Sequence, residues 1–457
     1  MSTSRAQPDG ADRAGGVIAM APGALPVLGH AVALLRDPIG FLWSLPEHGD
    51  LVRVRMGPVD AVVVCDPALT RQLLLDDRTF DKGGPFFERV VEIMGNGLAG
   101  CPHRDHRRLR RLLQPAFRTD RMPGYAAIMA GEIDEVLRGW RDGATLDVFG
   151  ELSALTSRML VATVFSDTIP PRALRDARED IVHLAEALSV RMFLPAWADR
   201  LPLPMNRRFD RALRRLRATA AGVVAERRAS GVDRGDLLSG LLAARDAESA
   251  DAGRGLSDTE VVDQVVTFAI AGVETVSSTL SWALHVLATR PDVQRRLHEE
   301  VDAVLAGRAP AHGDLPALPV TAAIFDETLR LWPPGWLLTR ETSVDTTLGG
   351  HRFPRGSTIA YSAVTVQNRD DVFPDATVFD LDRWGPSRPP PPRTGYIPFA
   401  VGARKCIGDR FALTEAVLVL ASVAGRWRLD PVSYRPVRTV PSAALRPRLA
   451  LRVTART

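Results

Sequence analysis

Phe399-Ala400-Val401-Gly402-Ala403-Arg404-Lys405-Cys406-Ile407-Gly408 is the stretch on which the reading of this chain turns. A cysteine stands between two glycines, directly after two cations. Glycine reaches backbone conformations closed to other residues, so Gly402 and Gly408 permit tight turns around the thiol. Arg404, Lys405 and the N-terminus of a helix expected to start near Gly408 favour a thiolate over a thiol. Phe399 can cover the sulfur. The other cysteines, Cys65 in a strand-like run and Cys101 before a proline, read as small buried residues. Three scattered cysteines make neither a disulfide framework nor a CxxC metal pair, and a reducing compartment suits them.

Working outward, 457 residues with 46% hydrophobic and 25% charged content indicate a globular chain that can enclose a cofactor. The net charge of +4 is small for this length and gives no support to a nucleic-acid role. Nearly all basic residues are Arg; the lysines are Lys82 and Lys405. Residues 1–20 are polar and small and are expected to be disordered, with one domain over 21–457. The apolar stretch 17–35 is broken by Pro22, Gly23, Pro26 and Gly29, so it reads as a turn-rich lead-in and not as a membrane span.

The segments 51–55 and 61–65 alternate as a hairpin. From 114 to 240, apolar residues recur at three and four spacing, the pattern of helices. Ser257-Asp258-Thr259-Glu260 is a capping box opening the longest helical candidate, 257–290, which Pro291 ends. Its middle, 265–273, is apolar all round, so this helix crosses the interior. Helices are expected over 291–305 and 320–332, strand-like pieces over 342–362, and a proline-rich loop over 385–395. No repeat or linker divides the chain, which reads as one large, mainly helical unit with small β-sheets.

The cysteine stretch matches FxxGxRxCxG, and the chain resembles the cytochrome P450 superfamily. The resemblance runs from Pro22 to the last strands and implies the P450 fold around a buried haem b, its iron axially ligated by Cys406. Glu327 and Arg330 match the family's ExxR helix. Phe379-Asp380-Leu381-Asp382-Arg383-Trp384 resembles the segment that supplies the second arginine, Arg383, with Leu381 in place of a proline. The three imply a buried triad that shapes the cysteine loop. Ala271-Gly272-Val273-Glu274-Thr275 matches [AG]GxxT. By resemblance Gly272 makes room for dioxygen, Thr275 steadies it, and Glu274 belongs to a proton relay. Thr275 can also bond back to a carbonyl one turn earlier. His106, Arg110, Arg340 and Arg404 match positions that hold the haem propionates, and Phe399, Ala271 and Gly408 border the cofactor.

Candidates for the substrate pocket are Phe86, Phe87, Met192, Phe193, Ile270, Ala271, Trp336 and Leu337, nearly all apolar, which favours a hydrophobic ligand. The stretches 81–87, 101–106 and 333–338 look like those of bacterial terpene-oxidising members. This implies oxygen insertion into C–H bonds of a sesquiterpene such as pentalenene, in natural-product biosynthesis. A macrolide or other lipophilic natural product is the alternative. A peroxygenase and a haem sensor without turnover are further readings, the first opposed by Glu274-Thr275. No flavin or nicotinamide domain is visible, so electrons are expected from a ferredoxin and its reductase. Arg107, Arg108, Arg111, Arg404 and Lys405 are candidates for the docking face. A cytoplasmic monomer is expected.

Overall fold

The capping box works as its sequence implies. Ser257 Oγ accepts from the Glu260 amide at 3.2 Å and Glu260 Oε2 accepts from the Ser257 amide at 2.8 Å, opening a helix over Asp258–Thr289. Pro291 begins the next helix, Pro291–Leu305. These elements belong to a computed structural model that describes residues 17–456, apart from 58, 166–170, 193–195, 247, 249–253, 393, 434 and 443.

The long central helix is apolar on nearly every face and is surrounded by the helices Val148–Phe165, Pro171–Met192, Pro204–Ser230, Pro319–Leu331 and Asp409–Arg426. Its Ser277, Thr279 and Ser281 are buried too, and the hydroxyls of all three return to the carbonyl four residues earlier. Bonding inside the helix lets polar residues lie in a core without unpaired groups. Val148–Phe165 and the central helix are long and apolar enough to cross a membrane. However, 61% and 78% of their most apolar windows lie buried inside the protein, as in core helices.

The hairpin forms from Leu51–Met56 and Val59–Val64. It extends into a five-stranded sheet through a parallel pairing of Val59–Val64 with Thr358–Tyr361, followed by Leu338–Thr342 and the short Phe80–Asp81. Smaller sheets join Thr145–Asp147, Ala450–Ala455 and Trp427–Pro431, and pair Arg438–Pro441 with Leu445–Arg448. The helical core and the sheet core at the N-terminal side are separate clusters. The mainly helical class with small sheets is the observed fold.

Most of the segment expected to be disordered, 1–16, lies outside the described residues. Within 17–20 the chain already meets the sheet: Ala19 O accepts from the Arg53 amide at 2.7 Å and Met20 bridges to Arg53. Within the helical stretch 114–240, a short 3-10 helix at Ala196–Arg200 precedes the helix that starts at Pro204.

Candidate functional site

The thiol loop is built from backbone first. Cys406 N donates to Phe399 O at 2.9 Å and Lys405 N to Gly402 O at 3.1 Å. Gly402 adopts φ +77, and a Cβ there would lie 2.7 Å from the Leu74 carbonyl oxygen, so glycine is required. Gly408 differs from expectation: at φ −95 it makes no left-handed turn, and a Cβ would meet nothing closer than Phe117 at 3.9 Å. The protein around it does not demand glycine. Phe399 is half-buried and leaves the Cys406 side chain exposed.

The loop is held from below by the helix Pro319–Leu331. Arg330 clamps Glu327 with two bonds of 2.8 Å, both side chains fully buried. Arg383 Nε reaches Glu327 Oε1 at 3.3 Å. Two donors that the sequence did not announce complete the carboxylate: the Asp380 amide and Trp384 Nε1, each at 3.0 Å. Arg330 also binds the carbonyls of Gln367, Ala376 and Val378, fixing the meander. Gln367 passes the restraint on, accepting from the Ile397 amide at 2.8 Å, and Tyr396 donates to Asp326 Oδ1 at 2.9 Å. The backbone entering the thiol loop is thus anchored by Gln367 and Asp326, neither singled out by motif.

The thiol's electrostatics run against expectation. Burial raises the Cys406 pKa; the Gly408 amide, Arg110 and Lys405 pull downward without prevailing, and Asp409 adds to the rise. The two expected cations are already engaged. Arg404 is held by Asp77 at 2.9 Å, Asp81 at 2.7 Å and the Cys101 carbonyl at 2.7 Å, and Lys405 pairs with Asp409 at 2.5 Å. A metal taking the proton's place, and not the surroundings alone, would produce the thiolate. Cys406 lies deep among protein atoms yet is open to solvent, because it borders a cavity.

Across from the loop, the central helix breaks its own burial pattern. Ala271 is exposed, and Ala269, Gly272 and Thr275 are partly so, in a helix otherwise buried over this stretch. A Cβ on Gly272 would meet only Leu160, at 3.8 Å. Phe117 links the two walls, packing edge-on against Phe268 of the central helix at 5.3 Å and approaching Gly408. Thr275 Oγ1 donates to Ala271 O at 2.6 Å. Glu274 turns the other way, toward the Arg438–Pro441 hairpin. Its Oε1 accepts from the Ala444 amide at 3.4 Å, its Oε2 is buried without a partner among the described residues, and burial pushes its pKa up to about 8.

Cations gather at one edge. Arg340 is 2% exposed, has no acidic partner among the described residues, and reaches only the Thr339 carbonyl, at 3.5 Å. His106 is buried, and burial followed by the charges of Arg404 and Lys82 pushes its pKa down to about 3. Arg110 bonds Gln114 at 2.8 Å and the Lys405 carbonyl at 2.5 Å. The nearby acids, Asp77 and Asp81, are taken up by Arg404 and His103. A group with an apolar middle, a metal facing the thiol and carboxylates at its edge fits these residues. The two glycines leave space that the protein does not need, and the cations lack anions.

The pocket candidates separate. Phe86 and Phe87 meet edge-to-face at 5.1 Å, Phe86 half-buried. Ile270 faces the helical core. Trp336 and Leu337 pack in the sheet core, the indole donating to Ser442 O at 3.0 Å, so neither offers free surface to a ligand. Phe193 lies outside the described residues, as does the side chain of Met192, which ends its helix. The expected docking cations need correction also. Arg404 is buried, and Arg108 and Arg111 are spent on Glu260 and on Asp246 and Glu248. Beside Cys406 a cleft of about 510 Å³ carries Arg110, Arg118, Lys405 and Arg410 against Asp120 and Asp409. None of its lining residues belongs to the central helix.

Comparison with known proteins agrees with this geometry. The family model described as Cytochrome P450 matches residues 20–453. The chain is 45% identical to a pentalenene oxygenase of Streptomyces avermitilis, over 96% of this chain and 98% of that protein. It is 44% identical to a cyclooctat-9-en-7-ol 5-monooxygenase of Streptomyces melanosporofaciens, over 90% and 89%. A cyclooctatin synthase of the same organism is 43% identical over 93% of both chains.

Proposed function

The chain belongs to the cytochrome P450 family, haem-thiolate monooxygenases, and from that premise we propose that it inserts oxygen into a C–H bond of a cyclic terpene, with a sesquiterpene such as pentalenene as first candidate. The observation that carries the substrate class is end-to-end similarity to relatives named for pentalenene and cyclooctat-9-en-7-ol. The apolar character of Phe86, Phe87 and the exposed Ala271 supports a ligand without charge.

Haem, when bound, supplies the activation of dioxygen at its thiolate-ligated iron. Cys406 is the ligand, and the restraints running from Glu327 and Arg330 through Gln367 to residue 397 keep its loop from drifting. Arg340, His106 and Arg110 hold the carboxylate edge, and Arg404 is itself fixed by Asp77 and Asp81. The Thr275 hydroxyl has committed its proton to Ala271 O, so its oxygen is left to accept a hydrogen bond from whatever occupies the cavity. Glu274 holds a proton at neutral pH and can release it toward the cavity when its side chain turns from Ala444.

Electrons come from a separate redox protein, which we take to be a ferredoxin served by its reductase. The cleft beside Cys406, with Arg118, Lys405 and Arg410, is the docking face that suits an acidic partner. A cytoplasmic monomer is the proposed state. The test is reconstitution with ferredoxin, reductase and NADPH against a terpene panel, read by the haem absorption shift and product analysis. Shifts and products confined to cyclic terpenes support the proposal. Turnover of macrolides alone, turnover with peroxide only, or no turnover would favour the alternative substrate, a peroxygenase or a sensor.

A further inference from the structure

We propose that three buried polar residues of the central helix, Asp263, Gln264 and Thr267, form a seat for the loop 95–99, and that this seat decides how bulky a molecule the cavity beside Ala271 admits. They are positioning residues, acting on the ligand only through the loop. The inference deepens the haem-thiolate monooxygenase reading and rests on it.

The loop leads from the helix Gly84–Met94, which carries Phe86 and Phe87, toward the helix His103–Leu113. Two of its amides find their acceptors on another element. Asn96 N donates to Asp263 Oδ2 and Leu98 N to Gln264 Oε1, each at 2.9 Å. Arg217, from the helix Pro204–Ser230, pairs with Asp263 Oδ1 and donates to Ile93 O at 3.4 Å, so one carboxylate ties two elements to the central helix. The approach is close. A Cβ on Gly97 would run into Thr267 Oγ1, and one on Gly95, at φ +60, into Asp263 Oδ1. Only glycines let the backbone settle so low on the helix.

Stability alone does not account for this arrangement. Gln264 has no exposed surface, and with its oxygen turned to the Leu98 amide its Nε2 is buried without a partner among the described residues. A buried donor left unpaired is unfavourable. Such a cost marks a place where the fold serves something besides its own packing.

What lies next on the helix shows what is served. Asp263, Thr267, Ala271 and Thr275 follow at intervals of four, so each neighbours the next on the helix surface. Both threonines return their hydroxyls along this line, Thr267 to Asp263 O at 2.7 Å and Thr275 to Ala271 O at 2.6 Å. Asp263 and Thr267 are buried beneath the loop. Ala271 is exposed and Thr275 partly so, because the cavity begins there. The loop therefore stops one turn short of the open face, about 6 Å along the axis. Seated, it closes that end of the cavity; lifted from Thr267, it would open a further turn of helix to a bulkier ligand.

The test uses the haem-loaded enzyme. Deuterium uptake by the loop is measured, and the haem absorption shift is titrated with imidazole and with clotrimazole, a far bulkier azole. Both bind iron through the same kind of ring nitrogen, so the ratio of their affinities reports the space around it. Asp263→Ala leaves the Asn96 amide without its acceptor, while the half-buried Arg217 can turn to water. Loop exchange should rise, and clotrimazole should gain about tenfold over imidazole. Asp263→Asn keeps an acceptor oxygen and should fall between Asp263→Ala and wild type. Gly97→Ala should reproduce the gain by lifting the loop off Thr267 Oγ1, and adding Thr267→Ala, which removes that oxygen, should restore the wild-type ratio. A purely structural role would lower stability and leave the ratio in place. Ratios within about twofold of wild type in Asp263→Ala and Gly97→Ala would overturn the proposal, as would a double variant further from wild type than Gly97→Ala. Should either single variant fail to load haem, the other decides. The reduced carbon monoxide spectrum separates the two levels. No thiolate band in wild type would sink the family reading and the seat together, whereas a normal band with an unmoved ratio would sink the seat alone.

Discussion

Replacing Glu327 by glutamine is the sharpest probe of what holds the thiol loop. The carboxylate has no exposed side-chain surface and receives five donors: Arg330 Nε and Nη2, Arg383 Nε, the Asp380 amide and Trp384 Nε1. A glutamine offers one acceptor oxygen in place of two. Its NH₂ group would turn donors onto donors on one side of the site, and two buried guanidiniums would lose the negative charge they share. Removing one partner of a buried ion pair costs about 3–5 kcal/mol, and each orphaned buried donor carries about 1–3 kcal/mol. These overlap, so the expected total is about 4 kcal/mol. Against a usual stability of about 5–15 kcal/mol, most of the margin would go. Urea denaturation of Glu327→Gln, followed by tryptophan fluorescence, should show a large fall in midpoint with an unchanged slope. The haem-loaded fraction should fall with it, because the same residues carry the restraint to Tyr396 and Ile397. A loss below about 1 kcal/mol would refute the argument that Glu327 is the charge centre of the meander.

Other expectations follow from single geometries. Thr275→Ala should keep the thiolate band but divert reducing equivalents to hydrogen peroxide, lowering product formed per NADPH severalfold; unchanged coupling would contradict its place in oxygen activation. Gly272→Ala should fold at least as well, gaining about 1 kcal/mol of helix propensity, since its Cβ meets only Leu160 at 3.8 Å. Turnover should nonetheless fall about tenfold, equivalent to about 1.4 kcal/mol in the barrier, and an unaltered rate would mean the space is not used. Glu415 is 4% exposed, and burial pushes its pKa up to about 8. The folded protein therefore keeps this proton while the unfolded chain releases it near its ordinary value, and stability falls as pH rises between the two. Glu415→Gln should remove that slope and gain about 2–4 kcal/mol by pH 8; parallel pH–stability curves for the two proteins would show the carboxyl is not penalised.

What could be read from the sequence was local in kind. The capping box, the apolar run of the central helix and the glycine-cysteine spacing are patterns within ten or twenty residues, and secondary structure and the thiol loop follow from them. Partners chosen across the fold were not legible. Arg404 looked like a free cation near the thiol because nothing in its neighbourhood names Asp77 and Asp81, which lie more than three hundred positions away. The reversed pKa direction at Cys406 follows from that and from its burial. Asp326, Gln367 and the donor role of Trp384 escaped notice for the same reason: each acts on a residue thirty or more positions distant. Trp336 and Leu337 were read as pocket residues by proximity to a motif. Both lie just before the strand Leu338–Thr342, in the turn that carries them into the sheet core, where contacts with residues distant in sequence hold them: the Trp336 indole donates to Ser442 O.

Some of the places where local preference is violated lie on the thiol loop, the central helix and the cation edge. A glycine sits inside the central helix, where packing would accept alanine. Ala400 adopts φ +56, a conformation other residues than glycine avoid. Among the described residues, Glu274 keeps one buried oxygen without a donor and Arg340 is buried with no anion. Any one of these could be absorbed elsewhere in a chain of this size. Those that border Cys406, the exposed Ala271 and the Arg340 edge have a physical meaning, because sequences ordinarily agree with their fold at every level except where function requires otherwise. Three demands of the site are relieved by different parts of one visitor: the buried cation by its carboxylates, the space beside the glycines by its flat apolar body, the thiol by its metal. Apolar packing would relieve the glycines but leave the cations unpaired. A bound anion would satisfy the cations but leave the thiol and the helix gap without purpose. Only a porphyrin carrying iron meets all three demands at once, and for that reason the geometry and the sequence motifs, which rest on different residues, lead to one cofactor.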